Sequence, residues 1–591
     1  MGMALAKMCK VWLSIVLSSS VSCTAAGSHR ASGDNSNAVA ATQLPAHVES
    51  RPSNGLPMPP DVFLDTTYAR PTGRTLTVSG AYSPSTFQSA LNSSRPGDVI
   101  AIEAGTTITG NFTLPNKQGT GWITIRSSAS DDKLPPPGTR MSPAYASVMP
   151  KLVSPNADAV INTAPGAHHY RFIGVEFTIA AGRARNNGLI LLGDGGAQNS
   201  PGAIPHDLII DRCYIHGNPS VDLRRAIALN SASTAIIDSY ISDVHEVGAD
   251  TQAICGWNGP GPFKIVNNYL EAAGENVMFG GADPHIPNLV PSDIEFRRNH
   301  CAKPLSWMPQ HPSYAGKHWS VKNLFELKNA RRTLIDGNLF ENNWLDAQSG
   351  FAILFTVRNQ DGSAPWSAVE DVTFTNNIVR HSAAGIMFIG RDNNHPSQQL
   401  KRALVANNLF EDIGGRHWGF NGRLIQIPET EDVKIDHNTA FQSGNLITAH
   451  GEASRGFVFT NNIAPHNEYG VIGDGASFGN ATLGRYFPGG VFKKNVIAGG
   501  RSSLYPADNF FPPSTEAVKF VDQAGGNYSL SASSPYKSAA TDGRSIGCDM
   551  NALRAALDLS QPARAAINSP LAGGRPMRQT RRLIEMIKGG A

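Results

Sequence analysis

Glu326 and Lys328 stand two residues apart in the alternating stretch Leu324-Phe325-Glu326-Leu327-Lys328, and Arg358 ends a second one, Ile353-Leu354-Phe355-Thr356-Val357-Arg358. Alternate side chains of an extended strand share a face. Phe325 and Leu327, like Ile353, Phe355 and Val357, then point inward, which leaves Glu326, Lys328, Thr356 and Arg358 in water. A lysine beside a like charge has its pKa lowered towards working pH and suits the role of a base. The planar fork of Arg358 suits a carboxylate clamp. Glu326, with Asn276 or Asp250, offers the oxygen ligands that a hard cation such as Ca²⁺ takes.

The same phasing places Arg391 after Ile386-Met387-Phe388-Ile389-Gly390, and puts Gln426, then Thr448 and His450, outward. Upstream it turns Asn276 and Met278 outward. The expectation is a solvent-facing column of Asn276, Glu326, Lys328, Arg358, Arg391, Gln426 and His450, most of them one strand apart. Beside it, the segment from Asp250 to Pro262 is dense in polar and aromatic residues and adds Asp250, Gln252, Trp257 and Asn258 as binding candidates. Trp257, Trp307, Trp319, Trp366 and Trp418 fall in or near loops that would wall a groove, where aromatic rings stack on flat ligands. There is a plainer reading of the same residues. Glu326 and Lys328 also fit an exposed surface pair worth under about 1 kcal/mol, and Arg391, His450 and His245-Glu246, taken singly, fit structural roles.

What must position these residues is a repeat. From about residue 160 an alternating strand reaches an Asn and then bends, with the final Asn at 268, 299, 338, 377, 408, 438, 462 and 495. A second short strand, such as Leu424-Ile425-Gln426-Ile427, separates most of these units. Units of variable length fit a coil of strands and loops that absorbs length changes in its turns. Successive coils stack their strands about 4.8 Å apart into parallel sheets. Asn recurring at one bend forms an amide ladder that satisfies backbone groups inside the turn. A β-propeller would need four strands per unit and its own signature, and neither is present. The fold class is therefore all-β, a right-handed parallel β-helix, with a short capping helix at Pro84-Ser85-Thr86-Phe87-Gln88-Ser89-Ala90-Leu91.

The 591 residues are 41% hydrophobic and only 16% charged, with 58 Gly, 39 Pro and a net charge of +3. That balance gives no global field to draw the chain onto nucleic acid or a membrane surface. No run of about 20 apolar residues follows the N-terminus, so no transmembrane segment is expected. Lys7 and Lys10 ahead of Val11-Trp12-Leu13-Ser14-Ile15-Val16-Leu17 read as an export signal over residues 1–26. Cys23 loosely fits a lipid attachment site, so a secreted, periplasmic or outer-surface protein is expected. Residues 27–60 read as a flexible linker, 61–560 as the β-helix and 561–591 as a basic tail. Cys213, Cys255, Cys301 and Cys548 have neither zinc-site nor disulfide spacing and read as buried thiols.

The Asn-punctuated coils, the opening helix and the closing Gly526-Asn527-Tyr528-Ser529-Leu530 … Ser534-Pro535-Tyr536 … Gly547-Cys548-Asp549 resemble the pectate-lyase-like superfamily of right-handed parallel β-helices over roughly residues 75–555. That scaffold hosts lyases, hydrolases, esterases and phage adhesins. Its lyases cleave uronate polymers by β-elimination, which needs a neutralised carboxylate, a base for the C5 proton and a stabilised enolate-like charge. The resemblance to alginate lyases and chondroitinase B, which use Lys, Arg and sometimes Ca²⁺ held by Asn and Glu, extends to residue type; the Glu-x-Lys spacing here is tighter than theirs. The expectation is a secreted monomeric enzyme on an acidic polysaccharide, a lyase with Lys328 as base, Arg358 as clamp, and Ca²⁺ at Glu326, Asn276 and Asp250. Two alternatives stand beside it. One is a glycoside hydrolase drawing a carboxylate pair from Asp250, Glu275, Asp283 and Glu326, at spacings of about 5–9.5 Å; the other is a carbohydrate-binding adhesin without catalysis.

Overall fold

Three long parallel sheets of 14, 13 and 12 strands run the length of the chain. They belong to a computed structural model that describes residues 55–79, 84–182, 185–419 and 421–557. The export signal, Cys23, most of the linker and the basic tail lie outside the described residues. One coil shows the plan. Gly261–Val266 lies in the 14-stranded sheet, Tyr269–Ala272 in the 13-stranded sheet and Glu275–Phe279 in the 12-stranded sheet, and a loop then returns to the next coil at Ser292–Arg297. Each strand pairs in parallel with its counterpart one coil on, for example Phe263 with Ile294 and Val277 with Phe325. The connections make a right-handed parallel β-helix.

The recurrent Asn sits at the corner between the 14- and 13-stranded sheets. The residue before it takes a positive φ, as at Asn267 (59°), Asn376 (55°) and Asn407 (55°), a conformation Asn tolerates. The Asn side chain then bridges coils: the Asn299 N–H donates to Asn338 Oδ1 at 2.9 Å, and the Asn299 amide donates to the Ile265 carbonyl at 2.8 Å. The ladder runs from Asn268 through all the expected positions and one rung further, to Asn509. Inside, phenylalanines stack along the axis, as Phe296 with Phe325 (5.0 Å) and Phe340 with Phe374 (5.9 Å). The helix Pro84–Ser93 closes the N-terminal end, seating Phe87 against Phe112 at 4.8 Å. The four described cysteines are buried thiols outside any disulfide, as the spacing implied.

The outer faces of the sheets differ. Gly55 to Arg74 run as an extended strap across the 14-stranded sheet: the Met58 N–H donates to Asp371, the Asp61 N–H to Asp293, and Lys264 and Arg171 donate to carbonyls at Leu64 and Thr66. The C-terminal segment covers part of the 13-stranded sheet, with Tyr528, Met550 and Leu553 packed on Ile378 and Leu409. Among the described residues, the 12-stranded sheet carries only its own loops. Its outer face is where side chains can meet a ligand.

Candidate active site

Glu326 Oε1 lies 3.9 Å from Lys328 Nζ, and both face outward from the strand Asn323–Leu327 of the 12-stranded sheet. Phe325 and Leu327 fill the interior as expected. Arg358 joins them through the backbone, its N–H donating to the Lys328 carbonyl at 2.9 Å. Thr356 Oγ1 donates to Glu326 Oε1 (3.1 Å), and Asn323 Nδ2 to Glu326 Oε2 (3.0 Å), so the carboxylate is fixed from both sides. Lys328 and Arg358 keep partial exposure, 15% and 19% of their side chains, whereas Glu326 and Thr356, expected in water, are buried at 2% each because they bond to one another beneath the surface. The guanidinium of Arg358 turns away from Lys328 towards Asp392 (3.4 Å) and Asn393 (2.6 Å). The partner recorded for Lys328 is therefore a carboxylate, not the like charge expected from sequence.

The charged cluster continues upstream. Gln252, Glu275 and Asn323 occupy one register position on three successive coils. All three are wholly buried, and Gln252 Nε2 donates to Glu275 Oε2 at 2.8 Å. Lys322 ion-pairs with Asp250 and lies 3.7 Å from Glu275 Oε1. Burial and then the neighbouring Asp250 charge push the pKa of Glu275 up. Burial works against the charge of Asp250, but Lys322, Lys328 and Arg224 hold its carboxyl below the ordinary range. Burial likewise opposes Lys322, whose pKa the Glu275 and Asp250 carboxylates nevertheless raise. Glu275, Lys322 and Asn323 complete the cluster. Lys322 and Asn323 were not singled out from sequence, because they flank the alternating stretch and carry no motif.

Asn276 is not in the outward column. Asn276 and Val277 both point inward, as do Leu324 and Phe325, because each strand opens with two consecutive inward residues; strict alternation mis-phases that first turn. Asn276 Oδ1 instead accepts from Lys303 Nζ at 3.1 Å. Lys303, wholly buried, also donates to the Ala272, Ala273, Gly274 and Asn323 carbonyls at 2.8–3.0 Å, filling this corner with one ammonium. Burial lowers its pKa to about 7. With Asn276 spent inside, Asp250 held by Lys322, and Glu326 by Asn323, Thr356 and Lys328, the three expected Ca²⁺ ligands do not converge. That donor set does not fit the metal.

The rest of the column is broken. Glu326 aligns with Met278, Leu354, Met387, Gln426 and Thr448, so two apolar residues separate Glu326 from Gln426. Phe351, Leu354, Ala384 and Met387 form an apolar patch there. Gln426 is held by Arg423 (2.9 Å) and Met387 Sδ, and His450 stands near Asp474, Glu429 and Arg423, its pKa lowered by burial. Arg391 is exposed and bonds within its own loop, to Ser397 and Gln399. Trp257 lies under Arg225 (5.4 Å) and its indole donates to the Gly195 carbonyl. Asn258 is sealed, its amide donating to the Gln198 carbonyl at 2.7 Å. Of the wall tryptophans, Trp307, Trp319 and Trp418 bury together with Trp344 in a cluster of their own, and Trp366 donates to the Leu289 carbonyl. Asp283 leaves the carboxylate inventory: its Oδ2 accepts from the Ser363 N–H and hydroxyl at 2.7 and 2.9 Å.

No protein-family model matches the chain, and no curated protein does. Solved structures are similar in part. The catalytic unit of a GH87 α-1,3-glucanase from Streptomyces thermodiastaticus shares 11% identity, with 73% of this chain and 70% of that one covered at a TM-score of 0.47. The PL6 family alginate lyase AlyGC shares 13%, with 80% of this chain but only 57% of that one covered at 0.41. A tailspike protein of Escherichia coli bacteriophage HK620 shares 13%, with 70% and 62% covered at 0.38. A lyase, a glucanase and a tailspike together select no chemistry. On its own three-sheet architecture and Asn ladder, the chain is a right-handed parallel β-helix protein.

Proposed function

We propose that the chain is a polysaccharide-degrading enzyme that cleaves an acidic, uronate-containing glycan by β-elimination in the trough on the 12-stranded sheet. The observation that carries this reading is the joining of Glu326, Lys328 and Arg358 on two adjacent coils of the outer face of the 12-stranded sheet. The two partly exposed cations, Lys328 and Arg358, suit an acidic chain lying across the strands. Arg358 binds the uronate carboxylate with its planar fork. Asp392 and Asn393 hold that fork in place beforehand. Lys328 takes the C5 proton, the freed electron pair forms the C4=C5 double bond as the C4–O glycosidic bond breaks, and the resulting ammonium returns the proton to the departing oxygen; Glu326, locked by Asn323 and Thr356, positions the amine and offsets its charge.

A second reading rests on the split within the carboxylates. Glu275, pushed towards its protonated form, and Asp250, held ionised, are the acid–base pattern of a glycoside hydrolase. Incubation with a panel of acidic and neutral glycans separates the readings. Elimination gives an unsaturated product that absorbs in the ultraviolet, and hydrolysis does not. New reducing ends without that absorbance would replace the lyase by the hydrolase, and no product from any glycan would remove both.

A further inference from the structure

A cluster of imidazoles lies on a different face from the trough, on the outer side of the 14-stranded sheet near its N-terminal end. It is built by two adjacent coils that each contribute two consecutive residues: His168-His169 in the strand His168–Ile173, and His206-Asp207 in the strand His206–Asp211. His168 pairs with His206 and Tyr170 with Leu208 across the two strands. Consecutive side chains of an extended strand point to opposite faces. Here the second residue of each pair takes a left-handed conformation, with φ of 59° at His169 and 52° at Asp207, while Tyr170 and Leu208 keep their places in the core. The kink therefore turns both residues of each pair outward.

The result is close packing of donor atoms. The His168 and His206 rings stack in parallel at 4.8 Å, and His168 Nδ1 lies 2.7 Å from His169 Nδ1. His206 Nδ1 lies 2.6 Å from Asp207 Oδ2. One donor atom each from His169, His206 and Asp207 falls within 4.8 Å of the others, the one such convergence of three among the described residues. The Trp122 ring, 5.3 Å from His169, walls one side. Ala232, which pairs with His206, and Ser233 present only small side chains on the other, leaving an open approach. The same left-handed turn recurs at the equivalent position of later coils, at Ser233, Asp293, Arg332, Asp371 and Arg402, so the fold supplies the kink and the sequence supplies the imidazoles.

We propose that His169, His206 and Asp207 form a binding site for a divalent transition metal of the zinc type. Two imidazoles and a carboxylate are the donor set that such borderline ions take, at about 2.0–2.2 Å from each ligand, so small side-chain rotations close the present spacing onto one ion. His168 orients His169 as a ring-to-ring partner, the role that a second layer of hydrogen bonds plays for metal-bound histidine. An ion there ties two rungs of the solenoid together through side chains, beside the capping helix and far from Lys328. Since the ligands come from one sheet face with an open fourth position, water completes the coordination.

The test uses the full-length protein, freed of metal by chelator and then titrated with Co²⁺ alone. The expected result is saturation at one ion per chain with the visible absorption of a four- or five-coordinate site, displaced by Zn²⁺, and a rise of several degrees in Tm with Zn²⁺. His206→Gln and Asp207→Asn should each lower Co²⁺ affinity at least tenfold while far-ultraviolet circular dichroism and basal Tm stay as in the parent. No saturable Co²⁺ spectrum in the parent overturns the proposal. So does unchanged affinity in Asp207→Asn, which serves as the deciding variant if His206→Gln does not fold.

Discussion

Two stacks of buried polar side chains run along this solenoid, and they are finished differently. The asparagines from Asn268 to Asn509 hand hydrogen bonds from coil to coil, Asn268 accepting from Ser239 and each later one from the Asn before it, and each donates to a carbonyl. The row Gln252, Glu275 and Asn323 is just as buried and just as regularly spaced, yet Gln252 Oε1, Glu275 Oε1 and Asn323 Oδ1 accept no hydrogen bond. An unsatisfied buried polar atom costs about 1–3 kcal/mol, so the first stack adds stability and the second draws on it. The open stack also lies beside the ion pairs of Lys322 and Lys328, where the 12-stranded sheet faces solvent. The complete row is the structural ladder; the incomplete one borders the proposed site.

That contrast can be broken at either stack. Lys328→Ala should lower turnover of the cleaved glycan by about 10²–10⁴-fold with an unchanged urea midpoint; loss of the midpoint with turnover would make Lys328 structural. Asn338→Ala should do the reverse. It removes bonds to Asn299, Asn377 and the Phe296 carbonyl and should cost about 3 kcal/mol in urea unfolding, leaving turnover per folded molecule intact. A third sealed group, His245, sharpens the point. It stacks on Trp319 at 3.7 Å with neither ring nitrogen hydrogen-bonded, and burial lowers its pKa to about 3. Between that value and the unfolded value of about 6.5 only the unfolded chain binds the proton, so stability falls as pH drops, by about 1.4 kcal/mol per pH unit at most. His245→Phe should flatten urea midpoints between pH 4 and 6.5, and an unaltered slope would assign the effect elsewhere. The smallest effect is expected at Gln426→Ala, three strands from Glu326: a KM raised two- to threefold, with kcat the same.

The repeat was readable from sequence because one residue type does one job at every coil: Asn at the corner cannot be moved without losing the ladder. The outward phase of Glu326, Lys328 and Arg358 was readable for the same reason, since Phe325, Leu327, Phe355 and Val357 must point inward. Asn276 was mis-phased because the entry to each strand of the 12-stranded sheet breaks the period of two, and polarity alone does not show that a buried lysine waits to receive it. Lys303, placed one residue before a proline, leaves no pattern, as it satisfies one corner once and is not repeated. Lys322 and the His168–His169 pair depend on local backbone turns that alternation does not describe. The Ca²⁺ expectation failed at the same place, because it needed Asn276 outside.

A solenoid held only by contacts between neighbouring coils can peel from either end, one coil at a time. The strap from Gly55 to Arg74 changes that topology: Met58 bonds to Asp371, and Asp61 to Asp293 and Arg332. These contacts span 313 and 232 residues of chain. The earliest described residues thus find their berth only after the middle coils have formed, and afterwards opening of those coils must also release the strap. A one-dimensional stack becomes a cross-braced one, and its unravelling is expected to be a single event across the braced coils.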